Sequence, residues 1–337
     1  DPNPPMAFSF ACPSALEITV FVEDTDAYEV LYHNNYAKYA LRGIWAALGG
    51  GSGAHAVASA LLEESSSLVN TTILVQRFLV GAILGARLAV NVTLTEVDDE
   101  FITAYVNITG TGESAKTIYT DILLRIACED DMGPCPLPGT IVENANKCTG
   151  DLPAFMNAMM GLRFPHAQGP NLSCVAGPRA RQKCYNLPFY VQPDECDDAG
   201  TNFLSNRSVV NFFERGRNLI DADTGKSLLG RLKDEGQLIV VARFDNIKFG
   251  QRPHRVGPGA KVEVRTAISL LNKKTQLMHH QSLWLISRDG TGEAGRDDVL
   301  LASGFVLCAC VNRGEMKPMP IVSWWEDMTS AFCGMST

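Results

Sequence analysis

The stretch best suited to chemistry is EDTDAYEVLYHNNY, residues 23–36. Asp24 and Asp26 stand one residue apart, and a Tyr-His pair, Tyr32 and His33, follows before an apolar helical pattern opens. A carboxylate just ahead of a helix can take a proton from water or attack a carbonyl carbon. The N–H groups of the helix's first turn can hold the negative charge that then develops on oxygen. Two close acids and partial burial also shift a carboxyl pKa to suit such work. The same residues serve equally in a plain turn, where short carboxylates accept backbone N–H bonds ahead of a helix. Spacing alone leaves both readings open.

The elements that would hold this loop follow at once. NYAKYALRGIWAALGGG, residues 35–51, carries aromatic and aliphatic side chains at helical spacing and closes on a glycine run that suits a helix C-terminus. Alternating apolar runs at 68–76, 86–94, 101–109 and 117–128 predict an antiparallel meander. The pattern then recurs: SVVNFFERGRNLI (208–220) reads as a helix, and runs at 238–247, 260–271, 277–287 and 299–311 read as strands. Placing Ala127-Cys128 on Ala309-Cys310 brings Pro136-x-Pro138 onto Pro318-x-Pro320, so both last strands end where proline cannot donate to a ladder. Two copies of one helix-plus-sheet module, packed as a pseudo-two-fold pair, are expected; two unrelated α+β domains are the alternative. The expected boundaries are a first domain over 1–140, a Pro/Gly/Cys-rich linker over 141–185, a second domain over 186–325 and a tail over 326–337.

EDTDAYEVLYHNNYAKYALRG resembles the 4-hydroxybenzoyl-CoA thioesterase-like branch of the hotdog fold. Members of that branch carry D-x-D, a Gly-containing loop, Y-H-x-N-Y and a long central helix. FFERGR (212–217), QRPHRVGPGAKVEVRT (251–266) and the VLCACVN and KPMPI segments are similar to further pieces of the same pattern. The resemblance implies an α+β double hotdog, each half a long central helix wrapped by an antiparallel β-sheet. It implies a thioester hydrolase of fatty acid metabolism, acting on acyl thioesters of CoA or acyl carrier protein without a cofactor. The acyl chain would lie where the halves meet, with the pantetheine arm entering from outside.

By the same pattern Asp26 is nucleophile or base, His33 orients water or assists proton transfer, and Asp24 is structural. Tyr28, Glu29 and Tyr32 would line the substrate mouth. Tyr28 and Glu29 replace glycines that relatives carry after the acid; glycine there permits positive φ and close approach of substrate to the backbone. In the second copy Asp198-Ala199-Gly200 keeps an acid and a glycine, but the Tyr-His pair is gone. Asp198 is thus a second site, a remnant, or part of an ordinary D-D-A-G turn. These departures sustain another reading, a catalytically inactive hotdog serving as a structural or ligand-holding subunit of a larger complex; the compartment stays open between an organelle (plastid or mitochondrion) and the cytoplasm.

Composition narrows the partners. The chain has 337 residues, 46% hydrophobic and 20% charged, as a folded protein with a sizeable core requires. Residues 1–150 carry 7 Lys+Arg and 18 Asp+Glu (−11); the remainder, 29 − 7 = 22 against 37 − 18 = 19, carries +3. That balance argues against nucleic acid. Arg243, Lys248, Arg252, His254, Arg255 and Lys261 form a basic group, with Arg252, His254 and Arg255 the candidates for the phosphates of CoA or a carrier protein; a solvated face balanced by Asp245 and Glu263 is the plainer alternative. The apolar run 73–94 is broken by Gln76, Arg77 and Arg87, so two buried strands and a glycine turn fit better than a membrane span. His279 and His280 point to opposite faces of a strand and lack metal-ligand spacing, so no metal is expected. The ten cysteines lack C-x-x-C spacing and read mostly as reduced core thiols, a disulfide among Cys148, Cys174, Cys184 and Cys196 being the exception to check. Of the five N-x-S/T sites, those at Asn91 and Asn107 fall in strand patterns, and the set does not argue for secretion.

Overall fold

Alternating β-branched and aromatic residues build eleven strands among the described residues. The structure, a computed structural model, describes residues 16–26, 29–49, 54–130, 132–161, 185–196, 204–218, 227–250, 256–286, 298–325 and 327. The chain divides into two units: Asp1–Thr71 with Gln76–Gly161, and Thr72–Val75 with Leu162–Thr337.

The first unit contains β1 (Leu16–Thr19), α1 (His33–Leu48), α2 (Ala54–Glu63), β2 (Ser67–Phe78, except its Thr72–Val75), β3 (Arg87–Val97), β4 (Phe101–Gly110), β5 (Ile118–Asp130), the short β6 (Gly133–Cys135), α3 (Gly139–Asn146) and α4 (Ala154–Gly161). Its strands lie in the order β1-β3-β4-β5-β2, with β6 on β5. The second contains β7 (Tyr185–Tyr190), α5 (Asn206–Arg217), α6 (Leu228–Asp234), β8 (Gln237–Phe249), β9 (Lys261–Leu271), β10 (Gln276–Leu285) and β11 (Val299–Asn312). Its order, β7-β9-β10-β11-β8, repeats the first strand for strand. No helix among the described residues is long and apolar enough to cross a membrane.

Each long helix lies on its sheet at a glycine. α1 buries Tyr36, Tyr39, Ala40, Gly43, Ile44, Ala47 and Leu48, a stripe at three- and four-residue spacing. A Cβ added at Gly43 would stand 2.6 Å from Cγ1 of Val90 on β3. In α5 a Cβ at Gly216 would meet Cγ1 of Val264 on β9 inside contact distance. The two glycines mark equivalent positions, and they let the helix backbone approach the pleated surface closely.

From that anchor the two interiors can be read against each other. The residues after the glycines are Ile44 and Arg217. Two residues beyond the valines stand Val92, paired with Val106 on β4, and Thr266, paired with Gln281 on β10. The first interior is apolar here, whereas in the second Arg217 donates to Gln281 Oε1 at 2.8 Å and Gln281 Nε2 donates to Phe213 O and Thr266 Oγ1. His279 is buried on the same face of β10. The two units share the frame, and at these positions the second interior is polar.

Part of the stretch expected to join the modules is folded onto the first. Phe155 of α4 covers the Arg77 guanidinium at 4.5 Å, and the Cys148 thiol donates to Ala47 O at 3.7 Å.

Candidate active site

Residues 21–33 turn from β1 into α1. Val22–Asp24 form one 3-10 turn, and Asp24 is 4% exposed. Its carboxylate accepts from Tyr39 Oη at 2.7 Å and Lys38 Nζ at 3.1 Å, both on α1. Its carbonyl accepts from Tyr32 N–H and from Asn35 Nδ2, each at 2.9 Å. Burial alone would raise the Asp24 pKa; the bonds from Tyr39 and Lys38 and the Lys38 charge outweigh it and hold it below the usual carboxylate range. Asp24 therefore clamps the loop to the helix.

Asp26 has a different setting. It is exposed, and it closes a tight turn: its N–H donates to Val30 O at 2.9 Å, its C=O accepts from Glu29 N–H at 3.0 Å, and its Oδ1 accepts from Val30 N–H at 3.3 Å. Glu29 takes φ +60°, the left-handed conformation that glycine adopts without cost. The turn docks on the segment after β2, where Leu31 N–H donates to Ala82 O at 2.7 Å and Leu84 N–H to Glu29 O at 2.9 Å.

α1 then starts at His33. Tyr32 sits at the N-cap without a side-chain capping bond. The half-buried His33 ring lies 4.4 Å from that of Tyr32 and meets Phe78 edge-on at 6.0 Å, while Tyr36 approaches the same Phe78 at 6.0 Å. Tyr36 Oη accepts from Ala82 N–H at 3.0 Å, tying α1 to the same docking segment. The structure thus gathers Asp26, Glu29, Tyr32 and His33 at one end of α1. Tyr28 lies outside the described residues.

The second copy retains the clamp and closes the helix. Glu195, 4% exposed, holds the place of Asp24: Ser205 N–H donates to its carbonyl at 3.1 Å, as Tyr32 N–H does to Asp24. Arg215 of α5 is its ion-pair partner, and its Oε2 accepts from Gln192 N–H at 2.8 Å. Where Tyr32 leaves α1 uncapped, Ser205 Oγ accepts from Ser208 N–H at 3.1 Å and occupies the start of α5. Asp198, the candidate remnant acid, lies outside the described residues, as do Arg252, His254 and Arg255.

Of the other basic residues, Lys248 and Lys261 are exposed, but Arg243 turns inward and pairs with the buried Asp245. Burial raises the Asp245 carboxyl to about 6 against the pull of Arg243. Among the described residues no cluster of His, Cys, Asp and Glu is placed to hold a metal. His279 and His280 face opposite sides of β10, as alternation requires.

Sequence reasoning passed over the buried polar groups of β2 and its neighbours. Asp121 on β5 accepts from Tyr105 Oη at 2.7 Å and Asn107 Nδ2 at 2.9 Å and forms an ion pair with Arg77. Asn107 pairs with Asn91, the neighbour of Val90 and Val92, so this network lies on the sheet face away from α1. Its signals in the sequence are the Gln76-Arg77 break in an apolar run and the single polar residues Asn91, Asn107 and Asp121 inside strand patterns.

No family model matches the sequence, and no curated protein does. Solved structures do. One from Lactobacillus plantarum, assigned as an oleoyl thioesterase, matches at TM-score 0.59 and 11% identity, covering 92% of this chain and 97% of that one. The 12:0-ACP thioesterase from Umbellularia californica matches at 0.56 and 10%, covering 86% and 92%. An acyl-ACP thioesterase from Bacteroides thetaiotaomicron matches at 0.53 and 10%, covering 88% and 97%. The fold is a double hotdog. At such identities the likeness fixes the architecture and leaves the chemistry to be argued from the residues.

Proposed function

We propose that the chain is an acyl thioesterase hydrolysing thioesters of CoA or acyl carrier protein, with one site built on Asp26. The D-x-D…Y-H-x-N-Y loop suggests the 4-hydroxybenzoyl-CoA thioesterase-like branch. The observation that carries the reading is the contrast between the two acids: Asp24 is locked into the helix, while Asp26 presents its carboxylate on an exposed turn beside an α1 N-terminus that Tyr32 does not cap.

In the proposed reaction the Asp26 carboxylate takes a proton from water as its oxygen adds to the thioester carbon. The oxyanion is held by N–H groups in the first turn of α1, where the helix dipole also favours negative charge. Collapse expels the thiolate, which recovers the proton from Asp26, leaving a carboxylic acid and a thiol. His33, held between Tyr32 and Phe78, orients the water. Arg252, His254 and Arg255 hold the phosphates of the carrier. Ser205 fills the equivalent position in the second copy, so Asp198 is a remnant. The test is hydrolysis of acyl-CoA and acyl-ACP substrates across chain lengths. Asp26→Asn should lower kcat by about a hundredfold or more, the range expected for loss of a general base; unchanged turnover would remove Asp26 from the mechanism.

A second reading is favoured by one feature. Phe21, Val22, Leu79, Val80, Ile83 and Leu84 are 39–71% exposed. The segments carrying them are bonded together near Asp26, with Gly85 N–H donating to Val20 O at 2.9 Å. Such an apolar area suits a subunit covered by a partner in a larger assembly. Native mass measurement decides: a stable hetero-complex without turnover supports the subunit reading, and an active free chain rejects it.

A further inference from the structure

Cys128 on β5 and Cys135 on β6 stand directly opposite each other in the β5–β6 ladder, and both are free thiols. Opposed residues of an antiparallel pair present their side chains on the same face, with Cα atoms about 4.5–5.5 Å apart. A disulfide spans Cα separations of about 4.4–6.8 Å. The two thiols are already in hydrogen-bond contact. Cys128 lies on the face of β5 that carries Ile122, Leu124 and Ile126; Ile122 pairs with Val106, which in turn pairs with Val92 under α1. Cys128 is fully buried on that face, whereas Cys135 is partly exposed. A reagent in solution therefore reaches the pair through Cys135.

The second unit shows how a cysteine is accommodated at this place without a second thiol. Cys310 aligns with Cys128. Its carbonyl accepts from Met319 N–H at 3.0 Å beside the Val311–Pro318 bridge, which puts a methionine across from it. Its own thiol donates to Gln237 Oε1 at 3.5 Å. The first unit sets a cysteine, not a methionine, across from Cys128. Burial, the adjoining Cys128 and the charges of Asp130 and Glu64 push the Cys135 thiol up to about 12. Its thiolate is scarce at neutral pH, so the pair reacts slowly there. A stabilised thiolate is what makes a disulfide easy to reduce; here the thiolate is disfavoured, so the disulfide, once closed, resists reduction.

We propose that Cys128 and Cys135 form a redox site that closes to a disulfide and staples β6 to the sheet. The step is exchange with a small disulfide such as oxidised glutathione. Cys135 gives its proton to water, and its thiolate attacks one sulfur of the reagent and expels the first glutathione thiolate. Cys128, deprotonated in turn, attacks the Cys135 sulfur of the mixed disulfide and expels the second. The two thiols lose two protons and two electrons, and oxidised glutathione becomes two molecules of glutathione. The chain leaves β6 for α3 through Leu137, whose N–H donates to Asp99 O at 2.8 Å, so the staple fixes the entry to that helix. The site shares no residue with the loop around Asp26.

The test reduces the full chain with dithiothreitol, removes the reductant and adds oxidised glutathione at mildly alkaline pH, where thiolate is available. Mass spectrometry of non-reduced digests then maps the cysteines. The peptides carrying Cys128 and Cys135 should be linked in most chains, with the mass of two hydrogens lost. The oxidised chain should melt several degrees above the reduced one, since the cross-link removes freedom from the unfolded chain. Cys135→Ser should abolish both the link and this oxidant-dependent shift; Cys135→Ala serves if Ser does not fold. Recovery of Cys128 and Cys135 as free thiols would overturn the site, as would a Cys135 found only as its glutathione adduct. An equal melting shift in wild type and Cys135→Ser would place the effect on other cysteines and overturn the staple. A link formed without any shift would overturn it as well.

Discussion

The hydroxyl of Tyr39 donates to Asp24 across 2.7 Å, joining the second turn of α1 to the loop that carries Asp26. Lys38 reinforces the contact, and in the second unit Arg215 holds Glu195 in the same manner. A buried carboxylate that loses a partner bears much of its desolvation cost. Tyr39→Phe should therefore destabilise the chain by about 1–3 kcal/mol and raise the Asp24 pKa, both read from denaturant unfolding as a function of pH. A pH-independent loss would mean that the hydroxyl matters only for packing.

Glu29 is the residue whose backbone disagrees with its side chain. It holds φ +60° on the turn closed by Asp26 and Val30, and its carbonyl accepts from Leu84 N–H. Glu29→Gly keeps that backbone bond and relieves a left-handed conformation worth about 1 kcal/mol, partly offset by the greater freedom of glycine when unfolded. The variant should be neutral to slightly more stable. It should also raise kcat/KM for bulky acyl thioesters by removing a charged side chain at the proposed mouth. Lower activity at unchanged stability would instead give Glu29 a role in binding.

Much of this was legible before any coordinates. The runs expected as strands at 101–109 and 299–311 are β4 and β11 to within a residue, because β-branched alternation leaves few other ways to bury one face. The two long helices begin within two residues of expectation, since aromatic residues at helical spacing mark them. α3 and α4 were not legible: their segment is rich in the proline, glycine and cysteine of an ordinary connection, and what orders it is tertiary contact, Phe155 on Arg77 among others. At the candidate site, Asp24 and Asp26 could be located from sequence, but which was clamped depended on Tyr39, thirteen residues beyond Asp26.

Gly43 and Gly216 should be intolerant of any side chain. A methyl at Gly43 meets Val90 within 2.6 Å, and overpacking of a well-filled core costs about 1–3 kcal/mol. Gly43→Ala and Gly216→Ala should each lower stability by that amount. Val90→Ala should recover part of the first loss and Val264→Ala part of the second, while the crossed pairs should not. Recovery in both matched pairs, seen by thermal melting, would establish that the duplicated helices use the same contact; additive losses throughout would deny it.

The second unit should also leave a signature in the pH dependence of stability. Burial lowers His279 to about 3, with the charge of Arg217 facing it adding to the effect, and burial lowers His280, stacked on Phe305 at 4.5 Å, to about 4. Both stay neutral in the folded chain while the unfolded chain protonates them below about 6.5, so their contribution is present above that pH and is lost as pH falls. Asp245 runs the other way: its pKa rises from 3.8 to about 6, so its contribution is present below 3.8 and is lost as pH climbs through 6. Between pH 4.5 and 5.5 the unfolded chain therefore binds two more protons at the histidines and one fewer at Asp245. Those three groups together make stability rise by about 1.4 kcal/mol per pH unit. His280→Phe should reduce the measured slope by about one proton, and Asp245→Asn should increase it by about one. Urea unfolding at several pH values across this window measures both. Equal slopes in all three proteins would mean that these side chains are hydrated and titrate freely in the folded state.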